Sequence, residues 1–337
     1  MKNFAFLAAI LATMLSSHAA PLTLEDISPH LSTNAQIIWK APTNSLPKKK
    51  WIYKKILPRI FSVAVISNAI VLASLQDKGF PQPSTNEICM DYDSCPCGHP
   101  CTFSIRPYFA TLAYTMPNFD RDSGKDIPSD EVIVKRAWGC TFQLNIDSAQ
   151  LMQKAPRSHI CSSDENGRDN TNNQVCGRGV FLSRLIDGIA FMGNGNDGWE
   201  TEGFWIGFGS YGKIRAFTLV WPNLERYEIH QTASPAQIIN CIRAFKTPMP
   251  PIDDEPNYFA RVKNLANAKK FTITKITPYY GEGVFGEAPT NNEPPKFVTP
   301  FAELEAVADF GNSNVTVRLL SPILSSEVIR ILGTKDK

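Results

Sequence analysis

Two glutamates, Glu282 and Glu287, stand among Tyr279, Tyr280, Phe285 and three glycines in the segment YYGEGVFGE. Paired carboxylates beside aromatic rings suit glycoside hydrolysis: one acid donates a proton, the other stabilises developing positive charge, and rings stack on sugar faces. That chemistry holds the two carboxyl groups about 5 to 9 Å apart, a distance that a glycine-rich loop does not fix. The expectation is therefore two solvated glutamates. A secreted glycan hydrolase using this pair is the alternative function.

Sulfur is the second chemical resource. The eight cysteines are Cys89, Cys95, Cys97, Cys101, Cys140, Cys161, Cys176 and Cys241, and four of them crowd into CMDYDSCPCGHPC together with His99. Thiolates and an imidazole are the ligands zinc prefers, but the spacing lacks the two separated C-x-x-C knuckles of a structural zinc site. An even number of cysteines in an exported chain predicts disulfides. No metal site is expected. Four cysteines allow three pairings, so connectivity stays open.

Other signatures are missing or fail on context. Gly193, Gly195 and Gly198 in GNGNDG, and Gly207, Gly209 and Gly212 in GFGSYG, both match G-x-G-x-x-G. A dinucleotide site needs that turn to open a helix whose amides face the pyrophosphate. Here the first leads into a strand and the second forms the turn of a hairpin, so no cofactor is expected. There is no G-x-S-x-G, H-E-x-x-H or P-loop. His30, His99, His159 and His230 show no ligand spacing, and none is assigned a catalytic role.

The elements that would position these residues belong to a folded, exported protein. With 34 Lys plus Arg against 32 Asp plus Glu, charge gives no reason to expect nucleic acid as a partner. Lys2, the apolar run Phe4 to Leu15 and the small residues up to Ala19 have the layout of a secretory signal peptide, so a secreted or periplasmic location is expected. A second apolar stretch, Ile60 to Leu75, falls short of the roughly 20 residues that span a membrane and carries Ser62, Ser67, Asn68 and Ser74. It reads as a buried core element. The basic residues before it, at positions 48–59, read as a solvated surface segment and not as a membrane-surface site.

The Pro-rich, acidic segment at 247–257 marks a boundary, because neither a helix nor a central strand runs through it. It separates a region at 20–246, which includes the Cys-rich segment 89–101, from a smaller one at 258–337. In the first, Ser129 and the acids Asp130 and Glu131 open a helix running to about Leu144. Val180, Leu182, Ile186 and Ile189 lie on a strand that turns at Asp187-Gly188. Phe204, Ile206 and Phe208 share one strand face, and Phe217, Leu219 and Trp221 share another, with SYGK as the turn between them. Ser234, Pro235 and Gln237 form a capping-box signature for a helix to about Phe245. In the second region, FTITKI and VTVRLL alternate as strands. FAELEAVADF holds good helix formers, yet its polar residues recur every second position, which favours a strand.

The phrase Ile186-Asp187-Gly188-Ile189-Ala190, followed by Phe204, Ile206, Gly212, Lys213 and Ile214, resembles the small secreted PepSY and fungalysin/thermolysin-propeptide module over about residues 130–221. That resemblance implies a helix packed on an antiparallel sheet, and a role in inhibiting or chaperoning proteases or in binding partner proteins. It carries over no functional residue, because the shared positions are folding positions. The expected fold is α+β, an antiparallel sheet with packed helices followed by a smaller β-rich domain. The expected function is an exported, non-catalytic binding or regulatory protein acting through protein–protein contact. A disulfide-stabilised envelope structural protein is a further alternative. Trp205 and Tyr211 are the candidate binding residues, with Trp199 and Tyr227 as further exposed rings, since aromatic side chains are enriched at binding hot spots.

Overall fold

The computed structural model describes residues 35–42, 46–76, 81–92, 101–116, 124–160, 175–192, 203–243, 267–282 and 296–326. The segments expected to be the signal peptide and the Pro-rich linker lie outside these residues. In chain order the elements open with β1 (Gln36–Trp39), β2 (Lys49–Ile56) and α1 (Val63–Leu72). Next come β3 (Ile88–Tyr92), β4 (Cys101–Arg106), β5 (Thr111–Thr115) and α2 (Asp130–Gln143). Then follow β6 (Leu151–Gln153), β7 (Arg157–Ile160), β8 (Val175–Ile186), β9 (Ile189–Met192), β10 (Gly203–Phe208) and β11 (Ile214–Val220). The last elements are β12 (Asn223–Gln231), α3 (Pro235–Arg243), β13 (Lys270–Glu282), β14 (Phe297–Asp309) and β15 (Asn314–Pro322).

These elements belong to two compact units. The first comprises Lys55–Phe191 and Thr201–Glu225. Its strands run β3, β4, β5, β11, β10, β8, and every neighbouring pair is antiparallel. The β10–β11 hairpin forms where alternation places it, with Phe204 opposite Leu219 and Ile206 opposite Phe217. Phe204, Ile206, Phe208 and Phe217 are fully buried. At the β8–β9 turn Asp187 and Gly188 both take positive φ, 50° and 73°, the geometry that favours an Asp-Gly pair in a tight hairpin.

Two helices complete this core. α1 begins at Ser62, whose Oγ accepts the Val65 N–H at 3.3 Å, and buries Ile66, Ala69 and Ile70 along one face. No helix among the described residues is long and apolar enough to cross a membrane. α2 buries Ile133, Ala137, Cys140 and Thr141. Arg178 on β8 fastens its start, donating to the Pro128 carbonyl at 3.0 Å and standing 3.2 Å from the Asp130 carboxylate.

The second unit comprises residues up to Lys54, Met192–Glu200 and Arg226–Lys337. Its centre is the long antiparallel pair β13–β14, extended by β15 on β14 and by β1, which runs parallel to β13 with Gln36 opposite Lys270. β2 meets the start of β14 at Lys54 and Phe297, and β12 neighbours β2. FAELEAVADF is a strand, burying Ala302, Leu304, Ala306 and Ala308. A register shift between Ile273 and Lys275 lets Phe271, Ile273 and Ile276 all reach the core despite their unequal spacing. α3 covers that core with Ile238, Cys241 and Ile242. Its capping box is complete: Ser234 N–H donates to Gln237 Oε1 at 2.8 Å and Gln237 N–H to Ser234 Oγ at 3.3 Å.

Two expectations need correction here. The fold is not α+β with packed helices and a trailing β-rich domain; fifteen strands and three α-helices make it mostly β among the described residues. Pairing of β1 and β2 with β13 and β14 builds the C-terminal strands together with N-terminal ones. The basic stretch at 48–59 is not simply a solvated segment either. KKWIYKKI is β2, with Lys50, Tyr53 and Lys55 buried.

Candidate functional site: the aromatic edge at β2 and β12

β12 is the terminal strand of the order, so one of its edges has no neighbouring strand among the described residues. Thr232 N–H, just beyond its end, donates to the Lys48 carbonyl at 3.0 Å and ties the strand to the start of β2. Tyr227 and Ile229 are about half exposed, at 50% and 49%, and Phe297 at the start of β14 is 38% exposed. The Tyr227 and Phe297 rings lie 5.0 Å apart, while on the opposite face of β12 the Arg226 guanidinium lies 5.4 Å from the Trp51 ring. Exposed Lys54 stands opposite Phe297 across the β2–β14 pair. The result is an apolar and aromatic patch bordered by charges of both signs, since exposed Glu225 shares the Tyr227 and Ile229 face by alternation, beside a strand edge with no neighbouring strand among the described residues. Such an edge can accept an added strand, and rings beside it supply contact area at low entropic cost.

The other face of β12 carries a chain of polar groups. Period-two alternation puts Glu228 and His230 side by side. The carboxylate selects the Nε2–H tautomer, so His230 Nε2–H donates to Glu228 Oε2 at 2.9 Å. Nδ1 then accepts the Ser326 hydroxyl at 3.0 Å. This order of groups polarises a serine hydroxyl. However, Ser326 and Glu228 are exposed and the His230 side chain is 25% accessible. A preorganised catalytic dipole gains its advantage where water is excluded, so the trio is assigned a structural role, tying β12 to the chain after β15. Glu-x-His on a strand was the available sequence signal; the serine, distant in sequence, could not be paired with it.

The residues singled out from sequence are dispersed. Trp205 sits half-buried in mid-strand between Phe181 and Thr218 on the neighbouring strands. Tyr211, at the tip of the same hairpin, is 62% exposed with φ 57°. Glu282 is buried at the end of β13 opposite Val298. Glu287 and Trp199 lie outside the described residues, so no carboxylate pair is defined.

The expectation that all eight cysteines are bridged is corrected. Cys89, Cys140, Cys176 and Cys241 are in the thiol form, and no two described cysteines are joined to each other. Cys101 is buried and disulfide-bonded; with four thiols among eight cysteines, its partner is one of Cys95, Cys97 and Cys161, which lie outside the described residues. The physical reason is placement. Cys140 and Cys241 face different cores, on α2 and α3 respectively, and a bridge needs Cα atoms within about 7 Å. Burial pushes the Cys140 thiol up to about 11, against a smaller opposing pull from Arg136. Cys89 is raised as well, by partial burial and then by Asp91 and Glu87, with Arg106 opposing. No group of three or more potential metal ligands occurs among the described residues. Comparison of the chain with protein-family models and with curated proteins returns no match.

Proposed function

We propose that this chain is an exported, non-catalytic binding or regulatory protein that holds a partner protein through the open edge at β12. The observation that carries this reading is the coincidence of a terminal strand, with no neighbouring strand on one side among the described residues, with exposed Tyr227 and Ile229 beside exposed Phe297. An extended partner segment would add to β12 through main-chain hydrogen bonds, and its alternate side chains would rest on Tyr227 and Ile229, with Phe297, two strands further in, backing the Tyr227 ring.

The test is site-specific photo-crosslinking in the exporting cell, with the cross-linker in place of Tyr227 and, for comparison, of Tyr211. A discrete adduct from position 227 that disappears on Ile229→Lys supports the edge as the contact. Adducts that form only from position 211, or that survive Ile229→Lys unchanged, overturn it.

A further inference from the structure

A cavity of about 350 Å³ opens in the unit built around α1 and α2. Ile60, Val65, Ile146, Leu219 and the Trp221 ring supply apolar wall, while Asn145, Gln150 and Asn223 supply amides. This volume lies at the small end of ligand-binding clefts, and the lining mixes polar and apolar residues in equal number, with Arg59, Ser62 and Asp147 beside the three amides.

Two charged residues line it, Arg59 and Asp147, and they are not equivalent. Both oxygens of Asp147 are committed to the short turn after α2: Oδ1 accepts the Ala149 N–H at 3.0 Å and Oδ2 accepts the Gln150 side-chain amide at 3.2 Å. Asp147 is the cap of that turn. Arg59 donates one guanidinium N–H to the Trp221 carbonyl and lies 4.9 Å over the Phe61 ring. No acidic side chain pairs with it among the described residues. Its remaining N–H donors outnumber the one acceptor the protein gives it. Burial alone lowers its pKa, to about 10. A half-desolvated cation beside a cavity is stabilised by an anion that enters the cavity. Asp147 is the one acid in the lining and its charge opposes an anion, so the carboxyl group must sit on the Arg59 side of the cavity, where the first turn of α1 contains no acid.

We infer that this cavity binds a small organic carboxylate, its carboxyl group on Arg59 and its apolar body against Ile60, Val65, Ile146 and Trp221. The apolar residues of the lining give an organic acid a contact that an inorganic anion cannot make. A single planar guanidinium suits a monocarboxylate, which it can engage through two parallel N–H donors. This site stands apart from the partner contact proposed at β12 and does not depend on it.

The experiment is a titration of the full mature chain with benzoate, followed by calorimetry and by NMR of the tryptophan indole and isoleucine methyl signals. Benzamide and inorganic phosphate are the matched probes. Saturable benzoate binding is expected, shifting the Trp221 and Ile146 signals, with benzamide and phosphate each weaker by about tenfold or more. Arg59→Met is expected to lower benzoate affinity by about tenfold or more, and Arg106→Met, at an exposed ion pair with Glu87, to leave it unchanged. Equal binding of benzamide refutes the role of Arg59, and preference for phosphate refutes the apolar subsite. Absence of saturable binding, or shifts confined to other residues, refutes the site. The wild-type probe comparison and signal map decide the matter even if Arg59→Met fails to fold.

Discussion

Cys140 gives the sharpest test of the corrected sulfur chemistry. It lies on the buried face of α2, 7% exposed, and its thiol is raised from an ordinary value near 9 to about 11. Two pH units correspond to a roughly 100-fold smaller thiolate fraction at pH 8, and the thiolate is the nucleophile. Iodoacetamide should therefore modify Cys140 at least about 100-fold more slowly in the native protein than in urea, and steric exclusion adds to the factor. Per-cysteine alkylation rates by peptide mass spectrometry provide the assay. With rising pH the native rate should climb about tenfold per unit until close to pH 11. The same shift acts on stability. A folded pKa above the unfolded one contributes stability that is complete below the unfolded value and is lost as pH rises through the folded value, here between about pH 9 and 11. The contribution is about 2 to 3 kcal/mol, and Cys140→Ala should remove that part of the alkaline decline in urea midpoints. Native alkylation as fast as that in urea, or recovery of Cys140 in a bridge, would refute the reasoning.

Phe217→Ala should cost about 3 to 5 kcal/mol, because Phe217 is fully buried against Tyr114 and Phe204; urea unfolding followed by near-ultraviolet circular dichroism measures it. Gly203→Ala should cost about 2 kcal/mol or more, since φ there is 152° and an added Cβ meets the Leu182 carbonyl and lies 2.8 Å from the Arg184 amide. The readout is a lowered thermal midpoint, and an unchanged midpoint counts against the close approach of β10 to β8. Ser326→Ala should speed hydrogen exchange at the Thr232 and Ala233 amides, which bond to Lys48 and Ile323, while fluorophosphonate labelling of Ser326 in the wild type would instead demand a catalytic role for the trio.

Legibility in the sequence followed local physics. The β10–β11 hairpin, the Asp187-Gly188 turn, the strand at FAELEAVADF and the capped helix from Pro235 depend on neighbouring residues, so their patterns were readable. β2 was not, because Lys50 and Lys55 occupy buried positions and mask its alternation. β12 was hidden for the opposite reason: almost every side chain along it faces water, leaving no periodicity to detect. Those two strands build the candidate site, so its location was illegible although Tyr227 was noticed. Cavity lining at Arg59 and Trp221 arises from residues far apart in sequence. Cysteine oxidation was misread because counting cannot report which cores the sulfurs enter.

The parallel pairing of Gln36–Trp39 with Lys270–Ile273 has a kinetic consequence. A strand made early in synthesis must wait for one made more than two hundred residues later before it gains its hydrogen-bonding mate, and such non-local closure slows folding. Until then the β1 segment is an unsatisfied ribbon, open to mispairing with other nascent chains. Chaperone demand during biogenesis should accordingly concentrate on this first strand, and truncations that stop short of β13 should accumulate as aggregates.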